Sequence, residues 1–148
     1  MTSSFELVTR AAVPPAALFD ASRDIGAHVA SMRGTGERAI AGVMSGLIGL
    51  DETVTWRAWH FGIPFRMTSR VTALDRPRRF VDEQVAGPFR VFRHEHLYTE
   101  QDGMTVMTDR VTLASPVLGR LAERLVLVPY LRRLLARRAA HLVATLSD

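Results

Sequence analysis

Two histidines, His94 and His96, are separated by one residue in a stretch where side chains of opposite character alternate. Such alternation predicts a β-strand, and residues two apart on a strand project from the same face. Asp109 lies on the next alternating stretch, beyond an Asp-Gly pair typical of a tight hairpin turn. A carboxylate beside an imidazole orients the ring and stabilises its charged form, as in a general acid or base. These three residues are the candidate catalytic group.

The length of the turn at Asp102-Gly103 decides which histidine lies opposite Asp109. A two-residue turn places His96 there, whereas a four-residue turn places His94 there. The three side chains share one face of the hairpin in both registers. The group is therefore predicted whichever turn forms.

Two other interpretations apply to the same residues. A buried His-Asp pair can simply satisfy its own hydrogen bonds and hold two strands together. A His-x-His pair with an acid can also bind zinc or iron, with His60 as a fourth ligand. The chain has no cysteine, and no third ligand stands close to the histidines in sequence. We therefore expect neither a metal nor another cofactor.

The elements that carry these residues follow from hydrophobic periodicity. The pattern predicts a strand at 5–13, short helices at 15–22 and 24–32, six antiparallel strands between residues 38 and 114, and a long amphipathic helix after Pro116. Pro129 lies inside the last helix, so we expect a kink or break near Val128. The apolar stripe of this helix comprises Leu118, Leu121, Leu125, Val128, Leu135, Ala139, Leu142 and Leu146. Its arginines are expected on the opposite, solvated face.

Strand alternation also predicts which side chains point inward. Pairing Ala58 with Met67, and Leu74 with Arg79, brings the apolar residues of neighbouring strands onto one face. The candidate ligand-binding residues on this face are Trp56, His60, Met67, Ser69, Phe80, Asp82, Gln84, Phe92, Tyr98 and Met107. They combine aromatic and thioether surface with a few polar groups, which suits a flat or greasy molecule.

Composition restricts the class of protein. The 148 residues, 47% of them hydrophobic, predict one domain covering 1–148. The 19 basic residues are all arginine and face 15 acidic ones, so the net charge is +4, but no nucleic-acid-binding motif accompanies the charge. The start resembles no secretory leader, and the longest uncharged stretch, 39–50, is shorter than the roughly 20 apolar residues of a membrane span. We expect a cytoplasmic protein with no integral membrane segment and no nucleic-acid partner.

A glycine pattern at Gly34-Thr35-Gly36 also fits, on paper, the start of a dinucleotide-binding fingerprint. That motif follows a buried strand and opens a helix. Here a helical pattern precedes the glycines, and a β-branched stretch follows them. Dinucleotide binding is therefore rejected.

Several blocks of the chain resemble bacterial SRPBCC proteins of the START/Bet v 1-like superfamily, in a ligand-binding branch related to polyketide cyclases and dehydratases. The blocks are ERAIAGVMSGLIGLDETVTWRAWHFG (37–62), GPFRVFRHEH (87–96), DGMTVMTDRV (102–111) and SPVLG (115–119), within a likeness spanning 5–146. The resemblance implies an α+β helix-grip fold: a curved seven-stranded antiparallel sheet wrapped around a long C-terminal helix, with two short helices after strand one. The predicted order of elements agrees with this fold, because a curled sheet gripping a helix buries the apolar faces of both.

The function that the resemblance implies is broader than the fold. The superfamily includes lipid carriers, hormone receptors, polyketide aromatase/cyclases and sequestering proteins, and fold alone does not choose among them. We predict that the chain binds a small hydrophobic molecule, aromatic polyketide-like or lipid-like, in an internal cavity with the histidines at its polar end. One alternative is a polyketide cyclase or dehydratase in which His94 or His96, tuned by Asp109, moves protons. The other is a protein-interaction module that uses the arginine-rich C-terminal helix and has no ligand-sized cavity. The sequence leaves the oligomeric state open.

Overall fold

Seven antiparallel strands form one sheet in this computed structural model, which describes residues 2–116 and 119–147. In chain order the strands are β1 (Ser3–Ala11), β2 (Arg38–Gly42), β3 (Thr53–His60), β4 (Ile63–Asp75), β5 (Arg79–Ala86), β6 (Val91–Gln101) and β7 (Met104–Ala114). Across the sheet they follow the order β1-β7-β6-β5-β4-β3-β2, so the first and last strands are neighbours. The predicted sheet is confirmed.

Two short helices follow β1, as predicted. They are α1 (Pro15–Ser22) and α2 (Ile25–Ser31), with a single 3-10 turn at Arg33–Thr35 before β2. Asp24 caps α2, because its side chain accepts a hydrogen bond from the backbone N–H of Ala27 at 2.9 Å. A proline opens α1, where its missing N–H costs no helical hydrogen bond.

Bulges give the sheet its curvature. The pairing of β2 with β3 shifts between Ala39 and Ala41, and the pairing of β4 with β5 shifts at 68–69 and again at 71–73. Each bulge bends its strand and increases the local twist. The sheet therefore curls around the C-terminal helix and leaves space between them.

Two hairpins differ from the predicted register. Ala58 pairs with Phe65 instead of Met67, because Phe61 and Gly62, with φ of 54° and 73°, form a two-residue turn. The shift of two residues leaves the same side chains on the inner face. The β4–β5 turn is one residue shorter than predicted, so Leu74 lies opposite Phe80 and not Arg79. The bulge at 71–73 restores the predicted pairing of Val71 with Asp82 farther along.

The β6–β7 hairpin resolves the two registers left open by the sequence. Asp102 and Gly103 adopt φ of 53° and 77° and form the two-residue turn. His96 therefore lies directly opposite Asp109.

The C-terminal helical run is irregular just before Pro129, near the position where the sequence predicts a kink or break. It consists of α3 (Arg120–Ala122), a π-helical turn (Glu123–Leu127) and α4 (Val128–Ser147). The wide turn lies directly before Pro129, which offers no N–H to the turn before it. The predicted opening at Pro116 is wrong, since that residue lies in a bend before Gly119 and Arg120.

The apolar stripe of this run is only partly as predicted. Ala139 and Leu142 pack with Leu18 and Phe19 of α1, in a core cluster that also holds strand residues. Leu135 packs against a second cluster, formed by β1 and β7. Leu121 and Leu125, by contrast, are 71% and 68% exposed, because they precede the stretch that the sheet encloses. The predicted stripe residue Leu118 lies outside the described residues.

Within the described ranges, none of the helices combines the length and apolar character needed to cross a bilayer.

Candidate functional site

A cavity of about 610 Å³ lies between the inner face of the sheet and the C-terminal helix. Its walls come from α2, from strands β3 to β6 and from the first half of α4. This volume falls in the range of small-molecule sites, which is about 300–1,000 Å³. The curled sheet and the helix thus leave room for a ligand.

Most of the predicted binding residues border this cavity. They are Trp56, His60, Met67, Ser69, Phe80, Asp82 and Phe92, and the candidate catalytic residues His94 and His96 border it too. The agreement follows from strand alternation, which survives a register shift of two residues.

Three predicted binding residues, Gln84, Tyr98 and Met107, do not border the cavity. The amide of Gln84 is occupied by the backbone of Phe89, to which it donates at 2.6 Å and from which it accepts at 3.1 Å. Tyr98 and Met107 are covered by α1, whose Phe19 ring contacts the Tyr98 ring at a centroid distance of 5.3 Å. A ligand in the cavity would not touch these three side chains, which corrects the sequence-based expectation.

The five buried or partly buried residues Asp82, His94, His96, Asp109 and Arg138 form what we call the polar cluster. Its two His-Asp hydrogen bonds run diagonally across the strands. His94 lies opposite Asp82 but its Nε2 donates to Asp109 Oδ1 at 2.7 Å. His96 lies opposite Asp109 but its Nε2 donates to Asp82 Oδ2 at 2.7 Å. The pairing joins three neighbouring strands.

Stacked rings hold the two imidazoles in place. The rings of His94 and His96 stack at a centroid distance of 3.7 Å, and Phe80 covers the other face of His96 at 3.9 Å. His96 and His94 retain 2% and 6% exposure, and Asp109 behind them is fully buried. Asp109 does not border the cavity, so its influence on a ligand would pass through the histidines.

Arg138 is the member of the polar cluster that the sequence analysis missed. It was expected on the solvated face of the helix, but it is only 3% exposed and borders the cavity. Its guanidinium lies 3.7 Å from Asp109 Oδ1 and donates to the backbone oxygen of Ser22 at 3.0 Å. Its position in the helix was the available signal. Arg138 lies four residues after Leu134 and four before Leu142, so it shares a helix face with these two buried leucines and points into the interior.

The charges of the polar cluster follow from its hydrogen bonds. Burial by itself raises the pKa of Asp109, but the hydrogen bond from His94 and the charge of Arg138 outweigh it and hold this pKa at about 2. Burial also acts to raise the pKa of Asp82, but the hydrogen bond from His96 outweighs it and keeps this pKa below its usual value. Burial and the neighbouring His94 lower the pKa of His96 to about 4. At neutral pH both carboxylates are ionised and His96 is neutral.

The cluster has hydrogen-bonding capacity that its own side chains do not use. Within the described ranges, His96 Nδ1, Asp109 Oδ2 and Arg138 Nε are buried without a hydrogen-bond partner, as is the hydroxyl of Tyr98, which lies outside the cluster. Such groups are uncommon in protein interiors, and a cluster of them marks a functional or hydrated region. Chemically, the arrangement can accept protons, donate hydrogen bonds and stabilise a developing charge.

The histidines also satisfy a geometric condition for metal binding, with Asp82 as the acid instead of Asp109. One possible ligand atom from each of Asp82, His94 and His96 lies within 4.8 Å of the others, and His60 is not part of this group. Both imidazoles, however, already donate Nε2–H to carboxylates, and the guanidinium of Arg138 adds a positive charge beside them. A divalent cation would have to displace these hydrogen bonds, so the residues present do not fit it well.

A second polar pair lies on the cavity wall near exposed apolar residues. His60 Nδ1 lies 2.7 Å from the hydroxyl of Tyr130, which joins the end of β3 to α4. The Phe61 ring lies 4.5 Å from the Tyr130 ring and is 58% exposed, and Ile63 is 54% exposed. All four residues border the cavity, and because Phe61 and Ile63 are exposed we refer to this group as the mouth. Burial lowers the pKa of His60.

His28 and Glu37 form another pair that the sequence analysis did not identify. His28 Nε2 lies 3.0 Å from Glu37 Oε1, and its ring packs on Trp56 at 4.3 Å. Both residues of the pair border the cavity. Neither alternation nor a motif marks them, because they come from α2 and from the segment before β2.

Comparisons with known proteins identify the fold of this chain but match it to no family model. The chain matches no protein-family model and no curated protein. Solved structures, in contrast, match it over nearly its full length.

Three of these structures represent the likeness. The Zhui aromatase/cyclase from Streptomyces sp. R1128 has a TM-score of 0.78 at 14% identity, covering 99% of this chain and 94% of that chain. Ara h 8.0201 has a TM-score of 0.74 at 16% identity, covering 100% of both chains. TTHA0849 from Thermus thermophilus has a TM-score of 0.75 at 15% identity, covering 97% of this chain and 99% of that chain. This chain therefore shares the fold of these structures, the helix-grip arrangement of a curved antiparallel sheet around a long C-terminal helix.

Proposed function

We propose that the protein binds a small hydrophobic molecule, aromatic polyketide-like or lipid-like, in its internal cavity. The observation that carries the proposal is the cavity itself, about 610 Å³ in volume and bordered by aromatic, aliphatic and thioether side chains. Apolar surface of this kind favours a hydrophobic occupant, while a few polar groups orient it. The proposed partner is a small molecule, and neither a nucleic acid nor a membrane is proposed as a partner. The proposed location of the protein is the cytoplasm.

The cavity has a buried polar end at the polar cluster and an exposed apolar end at the mouth. His94 and His96 are buried, whereas Phe61 and Ile63 are more than half exposed. A ligand entering past the exposed Phe61 and Ile63 would place its apolar body along Trp56 and Met67, with its polar group toward the histidines. The candidate binding residues that border the cavity act in this proposal as its walls, and the histidines as the polar contact.

Filling the cavity is expected to abolish binding. Ala58 borders the cavity and is 5% exposed, so Ala58→Trp would project a large side chain into the ligand's space. We expect the affinity for Nile red, an uncharged dye whose fluorescence rises in apolar surroundings, to fall at least about tenfold. Fluorescence titration measures the effect.

The matched control is Ala140→Trp on the exposed side of α4, which should leave dye affinity unchanged. Ser69→Phe, on the neighbouring strand, is a second variant in case Ala58→Trp does not fold. Equal dye affinity of wild type and both folded cavity variants would contradict the proposed binding site.

A polyketide cyclase or dehydratase is the second candidate, favoured by the His94–Asp109 pair. A neutral His94 that donates Nε2–H to Asp109 keeps Nδ1 as a proton acceptor. His94 would take a proton from a carbon between two ketones, the enolate carbon would bond to a distant ketone carbon, and the resulting alkoxide would take that proton back from His94. Loss of water from that alcohol then completes the dehydration. A similar structure, the Zhui aromatase/cyclase, supports this candidate.

Separate replacement of the histidines distinguishes binding from catalysis. With a poly-β-ketone thioester as substrate, His94→Gln is expected to lower turnover roughly 100-fold or more if His94 moves protons. Nile red affinity should change only modestly in His94→Gln and His96→Gln. Dye binding without any turnover by the wild type would favour binding alone.

The third interpretation, a protein-interaction module, has the weakest support. It required an arginine-rich helix facing solvent and no ligand-sized cavity. A cavity is present, and Arg138 turns into its wall.

A further inference from the structure

We infer that the polar group of the ligand is an uncharged hydrogen-bond donor, of the phenol or alcohol class, and that the carboxylate of Asp82 accepts it. The inference rests on the proposed function, because it concerns the orientation of a molecule inside the same cavity.

Asp82 is the carboxylate of the cluster that a ligand can reach. Its side chain remains 25% accessible and borders the cavity, whereas the side chain of Asp109 is 1% accessible and lies behind the histidines. His96 occupies Asp82 Oδ2. The other oxygen, Oδ1, has no hydrogen-bond donor within residues 2–116 and 119–147. An ionised carboxylate with a free oxygen accepts strong, charge-assisted hydrogen bonds.

The charge balance of the polar cluster disfavours an anionic ligand. Asp82 and Asp109 carry one negative charge each, Arg138 carries one positive charge, and His96 is neutral at pH 7 because of its low pKa. The sum is −1 with His94 neutral and zero with His94 protonated. A carboxylate or sulfonate would therefore meet an environment without net positive charge, directly beside Asp82.

A cationic ligand is disfavoured by the rest of the cavity. An ammonium group must lose its water shell to enter a largely apolar space, at a cost of several kcal/mol. The guanidinium of Arg138, already within the cluster, opposes a second positive charge. A neutral hydroxyl has a smaller desolvation cost and still supplies the hydrogen that Asp82 Oδ1 lacks.

The experiment compares four naphthalene probes that differ only in their polar group: 1-naphthol, 1-methoxynaphthalene, 1-naphthoate and 1-naphthylmethylammonium. Their dissociation constants are obtained by displacement of Nile red from the wild-type protein. We expect 1-naphthol to bind about tenfold or more tightly than 1-methoxynaphthalene, which is similar in shape but has no hydrogen to donate. The two charged probes should bind more weakly than 1-naphthol.

Asp82→Asn tests whether this preference comes from Asp82. The asparagine keeps the size of the side chain but loses the charge, so the preference for naphthol over its methyl ether should largely disappear. The matched control is Asp102→Asn at the exposed β6–β7 turn, which should retain the full preference. Nile red affinity is measured for each protein and serves as the reference for its probes, so that the naphthol preference is compared within one protein; Asp102→Asn should bind the dye as the wild type does.

The outcomes separate this inference from the proposed function. Equal binding of naphthol and its ether, or an unchanged preference in Asp82→Asn, would overturn the inference while leaving hydrophobic binding in place. Tightest binding of 1-naphthoate would overturn it as well, and would assign the polar contact to Arg138. Failure of Nile red and all four probes to bind would contradict the proposed function itself, and with it the inference.

Discussion

Asp109→Ala is expected to lower the free energy of unfolding by about 3–5 kcal/mol, the cost of removing one partner from a buried charged pair. Asp109 accepts a hydrogen bond from His94 at 2.7 Å and lies 3.7 Å from the guanidinium of Arg138. Without it, Arg138 stays buried at 3% exposure with its nearest carboxylate gone. Urea unfolding followed by circular dichroism measures the change.

The matched control for this prediction is Asp75→Ala. Asp75 also pairs with an arginine, Arg78, but the two side chains are 58% and 74% exposed. Exposed ion pairs contribute little to stability, so this variant should unfold almost as the wild type does. If Asp109→Ala does not fold, Asp109→Asn retains the side-chain shape and should give a smaller loss of the same sign. Equal stability of the Asp109 and Asp75 variants would contradict the role assigned to the polar cluster.

Acidification from pH 6.5 to about pH 4.5 is expected to destabilise the protein through His96, by on the order of 2–3 kcal/mol. Burial and His94 lower the pKa of His96 from 6.5 to about 4 in the folded protein. In this window the unfolded chain binds a proton at residue 96 that the folded protein does not bind. Stability is therefore fully present above pH 6.5 and is lost as the pH falls toward 4. Urea unfolding at a series of pH values measures the slope.

His96→Gln should flatten this pH dependence, whatever its effect on absolute stability, because glutamine does not titrate. His141→Gln, at an exposed position on α4, is the control and should keep the wild-type slope. Some slope should persist in His96→Gln, since burial lowers the pKa of His60 as well. The carboxylates Asp82 and Asp109, whose pKa values are also lowered, lose their stabilising effect only at lower pH. An identical slope in the wild type and His96→Gln would refute the assignment.

The local sequence pattern predicted the sheet more completely than it predicted the C-terminal helix. Strand alternation placed His94, His96 and Asp109 on one face, and this held because a turn of two or four residues preserves the parity of the pairing. The same property kept Trp56 and Met67 on the inner face, although the predicted pairing of Ala58 was wrong by two residues. The Asp-Gly pair at 102–103 was a correct hairpin signal, since both residues adopt positive φ.

Packing between distant segments decided the rest of the candidate site. Alternation predicted that Asp82 faces inward, but only the tertiary structure showed that it accepts from His96, diagonally across the strands, and not from His94 directly opposite. Tyr98 and Met107 face inward as expected, yet α1 covers them, so they belong to the core and not to the cavity.

The sequence by itself determined the order of elements and the face on which the histidines lie, and this order agrees with the helix-grip fold that the resemblance implies. These are properties of backbone periodicity and turn chemistry, which act between residues close in the chain. Only the tertiary structure decided that Arg138 is buried beside Asp109 and that Leu121 and Leu125 stay exposed. The physical reason is that burial depends on what covers a side chain, and the covering strands lie far from the helix in sequence.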